Sequence, residues 1–300
     1  MKKWKKILIL VIILAILTLL YARFISTRGL KVSEKSIITD KLPEDYDGFK
    51  IVQFTDLHYG STIHLKELKN VVKRINDQNP DIIIFTGDLV ENKVVLSDEE
   101  VEKIETELNK LNPSIEILAV KGNHDYDHDY FDKITEKLNW KVLNNTYEFI
   151  YKDSTTPLVF VGFDDLLRGK VDINNGFSYK NENPDDLFTI VLTHEPDLID
   201  QITDDNYNVA FAGHSHLGQV RIPLIGALWT PAGSKKYKDE HYIIGDKELY
   251  VSGGIGTSSL KLRFFNKPSI TLYRLRTKWK ILHKILIERS IFLCIIIIHT

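Results

Sequence analysis

The stretch KGNHD, residues 121–125, decides the fold assignment. An apolar run over residues 115–120 precedes it and is typical of a buried strand. Gly122 permits a sharp turn where that strand ends, and an amide, an imidazole and a carboxylate follow without a spacer. These groups can bind a metal ion or carry a proton. A polar turn that caps the next helix uses the same residue types, so this stretch alone leaves a purely structural role open.

Four other apolar runs end in the same kinds of residue. The runs and the residues that follow them are 49–54 with Asp56 and His58, 82–85 with Asp88, 188–192 with His194, and 207–212 with His214 and His216. Strand ends in open α/β sheets are where such proteins bind ligands. Five unrelated helix caps would not all supply residue types that bind metals, so the pattern favours one shared site.

The composition sets the size and class of the protein. With 300 residues, 43% hydrophobic and 27% charged, the chain can form one sizeable globular domain with further segments. The formal net charge of −2 provides no global basic field and argues against a non-specific nucleic-acid binder. The single cysteine, Cys294, excludes intrachain disulfides and a cysteine-based zinc site.

The N-terminus carries a membrane-targeting pattern. Four lysines precede an apolar run over residues 7–20, which as a helix reaches about 21 Å, short of the roughly 30 Å hydrocarbon core of a bilayer. We expect residues 1–25 to form a cytoplasmic stub and an uncleaved signal anchor; a cleaved signal peptide followed by secretion is the alternative. The lysines favour a main domain outside the cytoplasm, although basic residues just beyond the run oppose that orientation.

Three segments follow the anchor. Residues 26–47 are expected to be a connector and residues 48–276 the main domain. Within that domain strand and helix patterns first alternate and short strands with turns then follow, which predicts an α/β fold with two sheets and helices outside them. Residues 277–300 form a basic and apolar tail, for which a membrane-surface helix and an extension without function both stay open.

The polar residues at the strand ends form a set of candidate metal ligands. The set is Asp56, His58, Asp88, Asn123, His194, His214 and His216. Seven ligands are too many for one tetrahedral ion and fit two divalent ions that share a bridging carboxylate. These donor types suit manganese, iron or zinc and do not choose among them. Two such ions about 3.5–4 Å apart hold the attacking and leaving oxygens of a phosphoryl displacement and lower the pKa of bound water.

The order of the motifs carries a family resemblance. The blocks Asp-x-His, Gly-Asp, Gly-Asn-His-Asp, His and Gly-His-x-His follow one another as they do in the calcineurin-like metallophosphoesterase superfamily. Residues 48–276 are similar to its membrane-associated bacterial branch, of the YkuE and YaeI type. The resemblance implies the four-layer fold of that family, a two-sheet β-sandwich flanked by helices.

The resemblance also implies a role for each site residue. It places one metal ion at Asp56, His58 and His216, a second at Asn123, His194 and His214, and the bridging carboxylate at Asp88. It implies that His124 contacts the phosphate and can protonate the leaving oxygen, with Asp125 as its orienting partner. An imidazole titrates in the range that this proton transfer requires.

Two positions depart from the branch pattern. Leu217 stands where the branch commonly has glycine, and its side chain is expected beside a metal ligand, where it can narrow the mouth of the site. Gly253 stands where the branch often has arginine, which puts one anion contact in doubt.

Substrate contacts are less clearly marked in the sequence. Asp164, Asp165 and Arg168 can contact substrate or form a polar turn after a strand. The apolar loop at residues 223–229 can meet a lipid tail or the membrane near the site mouth, or pack in the core.

The sequence therefore predicts a membrane-anchored, metal-dependent phosphoesterase. We expect it to hydrolyse a phosphodiester or pyrophosphate bond, favouring a lipid or envelope head group because of the anchor. UDP-2,3-diacylglucosamine hydrolysis is one activity that the resemblance suggests. The alternatives are a phosphomonoesterase or nucleotide phosphodiesterase, and a non-catalytic metal-binding envelope scaffold, against which the intact His124 argues.

Overall fold

The computed structural model describes residues 2–153, 155–181, 186–202 and 207–279. Its α-helices are α1 (Lys3–Leu20), α2 (Leu65–Asn76), α3 (Asp98–Leu108), α4 (Tyr130–Lys137) and α5 (Ile173–Gly176). Its strands are β1 (Lys31–Thr39), β2 (Lys50–Phe54), β3 (Ile82–Phe85), β4 (Glu116–Ala119), β5 (Lys141–Val142), β6 (Thr146–Ile150), β7 (Leu158–Gly162), β8 (Thr189–Leu192), β9 (Val209–Ala212), β10 (Arg221–Ile222), β11 (Gly226–Ala227), β12 (His241–Ile244), β13 (Lys247–Val251) and β14 (Ser269–Thr277).

The strands form two six-stranded sheets and one small hairpin of β10 and β11. The first sheet has the spatial order β1-β14-β2-β3-β4-β5, and the second has the order β12-β13-β9-β8-β7-β6. In the first sheet β2 to β5 are parallel and β14 is antiparallel to β2. In the second sheet β7, β8, β9 and β13 are parallel. The predicted two-sheet α/β fold is confirmed.

The central strands are apolar on both faces because both faces are covered. Along β3, Ile82 and Ile84 face the core between the two sheets, whereas Ile83 and Phe85 face the helices outside the first sheet. A third apolar cluster covers the outer face of the second sheet. The residues alternate because successive side chains of a strand point to opposite faces of the sheet. The first sheet therefore lies between the outer helices and the second sheet.

Helices α2 and α3 lie outside the first sheet and bury one apolar face each. On α2 the side chains of Leu68, Val71 and Ile75 are buried against the sheet, at the spacing of one helix face. α3 begins with a capping box, in which Ser97 Oγ accepts the Glu100 N–H at 3.3 Å and the Glu100 carboxylate accepts the Ser97 N–H at 3.1 Å. After β8 the chain forms a short 3₁₀ helix, Pro196–Gln201.

The N-terminal helix is longer than the apolar run predicted. α1 continues into a π-helical turn over Tyr21–Ile25, so the helical segment has 23 residues and by length and composition can cross a membrane. At about 1.5 Å per residue it reaches about 35 Å, which exceeds a bilayer's hydrocarbon core. No side chain of α1 itself is buried.

The segment between the N-terminal helix and residue 48 contributes to the first sheet. β1 lies inside the expected connector and pairs parallel with β14 along nine residues, from Lys31 opposite Ser269 to Thr39 opposite Thr277. The sheet therefore begins before the expected domain boundary. Of the tail at 277–300, residues 280–300 lie outside the described part of the chain.

Candidate metal centre

The loops that carry the candidate ligands leave the carboxyl ends of five parallel strands. In the first sheet these strands are β2, β3 and β4, and in the second sheet they are β8 and β9. Because neighbouring parallel strands point the same way, their carboxyl ends meet at one edge of the sheet. The two sheets face each other at that edge, and the seven candidate ligands predicted from the sequence lie in the loops there.

Three buried side chains form a first donor cluster. His58 Nε2 lies 3.0 Å from His216 Nε2. Asp56 Oδ1 lies 3.4 Å from His216 Nε2 and 3.9 Å from His58 Nε2. Two imidazole nitrogens and a carboxylate oxygen that converge in this way suit a hard or borderline divalent ion.

A second donor cluster lies beside the first. His194 Nε2 is 3.2 Å from His214 Nδ1 and 3.3 Å from Asp88 Oδ2. Asn123 lines the same cavity as Asp88 and His214, and its buried Oδ1 has no hydrogen-bond partner among the described residues. A buried amide oxygen without a partner is costly, and a metal ion at this cluster would satisfy it.

The Asp88 carboxylate joins the two clusters. Its Oδ2 lies 3.4 Å from His58 Nε2 in the first cluster and 3.3 Å from His194 Nε2 in the second. Its Oδ1 accepts the His124 N–H at 2.8 Å, which fixes the orientation of the carboxylate. One side chain therefore offers an oxygen to both groups of donors.

Two of the imidazoles have their tautomer set by backbone carbonyl groups. His194 Nδ1 donates to the Thr86 carbonyl oxygen at 2.6 Å, and His214 Nε2 donates to the Ala232 carbonyl oxygen at 2.6 Å. The proton on each of these nitrogens leaves the opposite nitrogen as an acceptor that faces the cluster. Hydrogen bonds of this kind orient ligating histidines and raise their basicity.

The other two imidazoles contact residues that the sequence did not single out. Glu91 Oε2 lies 3.1 Å from His58 Nδ1, at an angle poorer than that of a well-formed hydrogen bond. Arg263 Nη2 lies 3.2 Å from His216 Nδ1, and this fully buried guanidinium also donates to carbonyl oxygens of the segment 253–256. The only sequence signal for Glu91 is its place three residues after Asp88.

The pKa values of the buried groups in the centre are shifted in different directions. Burial acts to raise the pKa of the Asp88 carboxyl, but the imidazoles of His194 and His124 outweigh burial and hold this pKa well below its usual value. Burial acts to lower the pKa of His194, but Asp88 raises it well above its usual value. Burial and the neighbouring His194 lower the pKa of His214 to about 3. In the metal-free protein this raised pKa keeps a second proton on His194, at Nε2, and a metal ion would have to displace that proton.

His124 lies beside the first cluster and lines the cavity. Its ring centroid is 4.6 Å from that of His58. Its Nδ1 accepts the Asn92 N–H at 3.2 Å and lies 3.7 Å from Glu91 Oε1. Because Nδ1 is an acceptor here, the neutral ring carries its proton on Nε2.

Asp125 was expected to orient the His124 ring, but its carboxylate contacts backbone N–H groups and not the ring. Its Oδ2 accepts the N–H groups of Asp88 at 2.8 Å and Gly122 at 2.9 Å, and its Oδ1 accepts the Leu89 N–H at 2.8 Å. These bonds tie the loop after β4 to the loop after β3. Asp125 therefore fixes the backbone that carries Asp88 and His124, and the loop after β3 orients the ring itself.

The polar residues after β7 form a turn. Asp164 Oδ2 accepts the Lys170 N–H at 2.8 Å, and Asp165 Oδ1 accepts the Arg168 N–H at 2.6 Å. The Arg168 guanidinium pairs with Asp127 at 2.7 Å. These contacts fit the structural alternative for Asp164, Asp165 and Arg168, and none of the three is among the described residues that line the cavity.

Leu217 points away from the cavity. Its side chain packs on the apolar cluster outside the second sheet, and a Cβ built on Gly253 would lie 3.4 Å from Leu217 Cδ1. The leucine therefore fills space beside Gly253, so the two departures from the branch pattern complement each other. This placement does not support the expected narrowing of the mouth.

The backbone at the centre is unusual. Five of the seven candidate ligands have positive φ: Asp56 (51°), His58 (42°), Asp88 (63°), His214 (61°) and His216 (45°). This left-handed region is uncommon for residues other than glycine, although Asp and His enter it more readily than most. The turns direct consecutive polar side chains into the site. Gly122 leaves the space that they need, because a Cβ there would lie 2.4 Å from Asp88 Oδ1.

A cavity of about 610 Å³ opens over the centre. Its base includes Asp88, Asn123, His124, His214 and His216. Its outer wall is largely apolar and is formed by Val220, Leu228, Trp229, Pro231 and Leu260. The cavity therefore combines a polar, metal-binding base with a wall that suits an apolar group.

Comparison with known proteins agrees with this geometry. A family model of calcineurin-like phosphoesterases matches residues 49–218. The chain is 34% identical over 260 residues to metallophosphoesterase YkuE of Bacillus subtilis, covering 86% of this chain and 89% of that one. It is 27% identical to phosphodiesterase YaeI of Escherichia coli (76% and 82% covered) and 25% identical to UDP-2,3-diacylglucosamine pyrophosphatase LpxG of Chlamydia muridarum (86% and 93%). With its family model and its two clusters of metal-binding side chains, the chain belongs to the calcineurin-like phosphoesterase family.

Proposed function

We propose that this protein is a membrane-anchored phosphoesterase that uses two divalent metal ions to hydrolyse a phosphodiester or pyrophosphate bond in a lipid or envelope head group. The observation that carries the proposal is the Asp88 carboxylate, whose Oδ2 lies within 3.4 Å of imidazole nitrogens in both donor clusters. A carboxylate placed between two sets of imidazole donors is the arrangement that a pair of metal ions requires.

The donor sets fit the metal ions in number and type. One ion would be held by Asp56, His58, His216 and Asp88, and the other by Asp88, Asn123, His194 and His214. When bound, such a pair supplies electrostatic stabilisation of the phosphoryl group and lowers the pKa of bound water. Manganese, iron and zinc all suit these ligands.

The chain's own groups then bind and orient the substrate. His124 lines the cavity, and its Nδ1 accepts a hydrogen bond, so the proton of the neutral ring is on Nε2. This proton would be donated to a phosphate oxygen and then to the leaving oxygen as the ester bond breaks. Glu91 and Asn92 hold the His124 ring from the other side. Asp125 acts through the backbone, as a positioning residue that keeps Asp88 and His124 at a fixed separation.

The N-terminal helix and the cavity support the proposed substrate class. The 23-residue helix supports membrane attachment, and the four lysines at its start favour a catalytic domain outside the cytoplasm. The apolar outer wall of the cavity suits a lipid-linked substrate. The similarity to LpxG, whose name gives a nucleotide-sugar lipid pyrophosphate as substrate, supports a pyrophosphate or phosphodiester bond.

The test is metal-dependent hydrolysis by the full chain in detergent, purified without chelator. The substrates are bis-p-nitrophenyl phosphate and p-nitrophenyl phosphate, each with manganese, zinc or chelator. The variant is Asp88→Asn, and the matched control is Asp153→Asn, at an exposed aspartate far along the chain from the candidate ligands. We expect hydrolysis that depends on metal, is lost in Asp88→Asn and is retained in Asp153→Asn.

The ratio of the two rates separates the substrate classes. Preference for the diester supports the proposed class, and preference for the monoester favours a phosphomonoesterase. If the folded protein binds two metal ions and hydrolyses neither these substrates nor a lipid pyrophosphate, the enzymatic proposal is wrong and a metal-binding scaffold is favoured.

A further inference from the structure

The mouth of the catalytic cavity carries a group of exposed apolar side chains. We call this group the apolar rim and define it as Leu224, Ile225, Leu228, Trp229, Leu260 and Phe265. Each is more than half exposed, and Leu224 is fully exposed. Leu228, Trp229 and Leu260 also line the cavity, so the rim continues from the outer surface into the site. Apolar patches of this kind mark binding surfaces for proteins or membranes.

The rim is built from two loops that behave as one unit. The backbone N–H of Arg221 donates to the Phe264 carbonyl oxygen at 2.9 Å, and the Phe264 N–H donates to the Gln219 carbonyl oxygen at 3.1 Å. The Gln219 side chain accepts the Ser258 N–H at 3.1 Å. These bonds join the loop that follows His216 to the loop at residues 258–266, so the rim is a fixed surface.

The same unit contacts the end of the N-terminal helix. The Arg263 N–H donates to the Ala22 carbonyl oxygen at 3.0 Å, and the rings of Tyr21 and Phe264 meet edge to face with centroids 6.2 Å apart. Ala22 is buried by these contacts, whereas the whole of α1 before it is exposed. The loop that carries the rim residues Leu260 and Phe265 therefore lies against the C-terminal end of the N-terminal helix.

Basic side chains accompany the rim. Lys235 Nζ lies 5.1 Å from the centroid of the Trp229 ring. Lys261 follows Leu260, Lys267 lies two residues after Phe265, and both lysines are exposed. Apolar side chains bordered by cations are the composition of surfaces that lie in the interface of an anionic membrane.

We propose that the apolar rim inserts into the interface of the bilayer that holds α1, so that the catalytic cavity opens onto the membrane. Continuity with the anchor identifies the bilayer as the occupant of the rim. This inference rests on the proposed membrane anchoring, and it deepens the proposed function by giving the substrate its route. The acyl chains of an amphiphilic substrate would stay in the bilayer, along Trp229 and Leu260, while the phosphate group reaches the metal-binding base.

The test measures lipid contact directly and does not depend on activity. Single cysteines are introduced as Leu224→Cys or Phe265→Cys in a chain that carries Cys294→Ser, and each is labelled with a nitroxide. The full chain is reconstituted into vesicles of phosphatidylethanolamine and phosphatidylglycerol. Spin relaxation is then measured with oxygen, which concentrates in bilayers, and with a water-soluble nickel chelate present on both sides of the membrane.

The matched control is Ile243→Cys. Ile243 is an exposed apolar residue on β12, opposite Glu248, and Glu248 pairs with Val209 at the start of β9. The control therefore lies at the end of the second sheet that is remote from the metal centre. We expect the ratio of oxygen to nickel accessibility to be several-fold higher at residues 224 and 265 than at residue 243.

Two results would overturn the inference. Labels at the rim that meet the nickel chelate as often as the control would show that the rim faces water. Labels shielded from both reagents would show that protein, such as the tail or a second copy of the chain, covers the rim. The same vesicles are assayed with manganese on bis-p-nitrophenyl phosphate and on a lipid pyrophosphate. Lipid contact without hydrolysis of either substrate would refute the proposed function and leave the rim inference standing. Hydrolysis without lipid contact would refute the rim inference and leave the proposed function standing.

Discussion

Replacing Glu91 by glutamine tests whether the metal centre depends on a residue outside its donor clusters. The Glu91 carboxylate lies between two imidazoles, with Oε2 3.1 Å from His58 Nδ1 and Oε1 3.7 Å from His124 Nδ1. Burial acts to raise the pKa of Glu91, but His58 and His124 lower it, so the carboxylate is charged at neutral pH. Glu91→Gln keeps the size of the side chain and removes that charge.

The size of the effect follows from the distances. Two unit charges 3.1 Å apart would attract by about 5 kcal/mol at an effective dielectric constant of about 20. This is an upper limit, because a ligating imidazole is neutral and feels the carboxylate through its N–H dipole. Outer partners of ligating histidines contribute about 10- to 100-fold in metal affinity or activity, or about 1.4–2.7 kcal/mol. We expect Glu91→Gln to weaken metal binding by this factor and to lower kcat as well, because His124 loses a neighbour.

The assay combines metal binding and turnover. The dissociation constant for manganese is measured by calorimetry, and kcat for bis-p-nitrophenyl phosphate is measured at saturating manganese. The matched control is Glu136→Gln, at an exposed glutamate on α4, which should leave both quantities unchanged. Wild-type metal affinity and wild-type kcat in Glu91→Gln would refute the assignment of Glu91 as the residue that positions these two imidazoles.

Three further predictions test other parts of the site. His124→Ala should keep the full metal content, measured by elemental analysis, and lower kcat by about 10²- to 10⁴-fold, as expected for a lost proton donor; unchanged turnover would contradict its role. Leu217→Gly should leave KM for bis-p-nitrophenyl phosphate unchanged, because the side chain packs beside Gly253 and not in the cavity; a lower KM would show that it narrows the mouth. In chelated protein, Asp88 raises the pKa of His194 against the effect of burial, so the protonated imidazole contributes stability that is complete below about pH 6.5 and lost as the pH rises through the raised pKa. The melting temperature of chelated protein should therefore fall as the pH rises above about 6.5, and that of metal-loaded protein, in which the metal would have displaced that proton, should not; equal slopes would argue against this linkage.

The sequence could predict the ligand positions because they depend on short-range rules. Asp56, Asp88 and His194 each follow an apolar run, and parallel strands must end at a common edge. The spacing of apolar residues is also sufficient to predict α2, one face of which is buried, and the Ser97–Glu100 capping box marks the start of α3. These features require no knowledge of which loops meet in space.

The remaining residues of the site depend on contacts between loops distant in sequence. Arg263 reaches His216 across 47 positions, and no periodicity or motif marks it. Asp125 and Leu217 were given roles from their neighbours in the chain. In the structure, backbone N–H groups hold the Asp125 carboxylate, and the space beside Gly253 accommodates the Leu217 side chain. Loop-to-loop packing of this kind is visible only in the folded chain.

The left-handed backbone at five candidate ligands has a consequence for how this protein tolerates mutation. At about 1 kcal/mol for each such residue, the strain amounts to about 5 kcal/mol, comparable with the lower end of the total stability of a folded domain. A lineage that no longer needed the metal ions would gain robustness by placing glycine at Asp56, His58 or His216. Selection for the metal site would maintain aspartate and histidine at these turns. The resulting strain lowers the free energy of unfolding, so the domain tolerates fewer destabilising substitutions elsewhere.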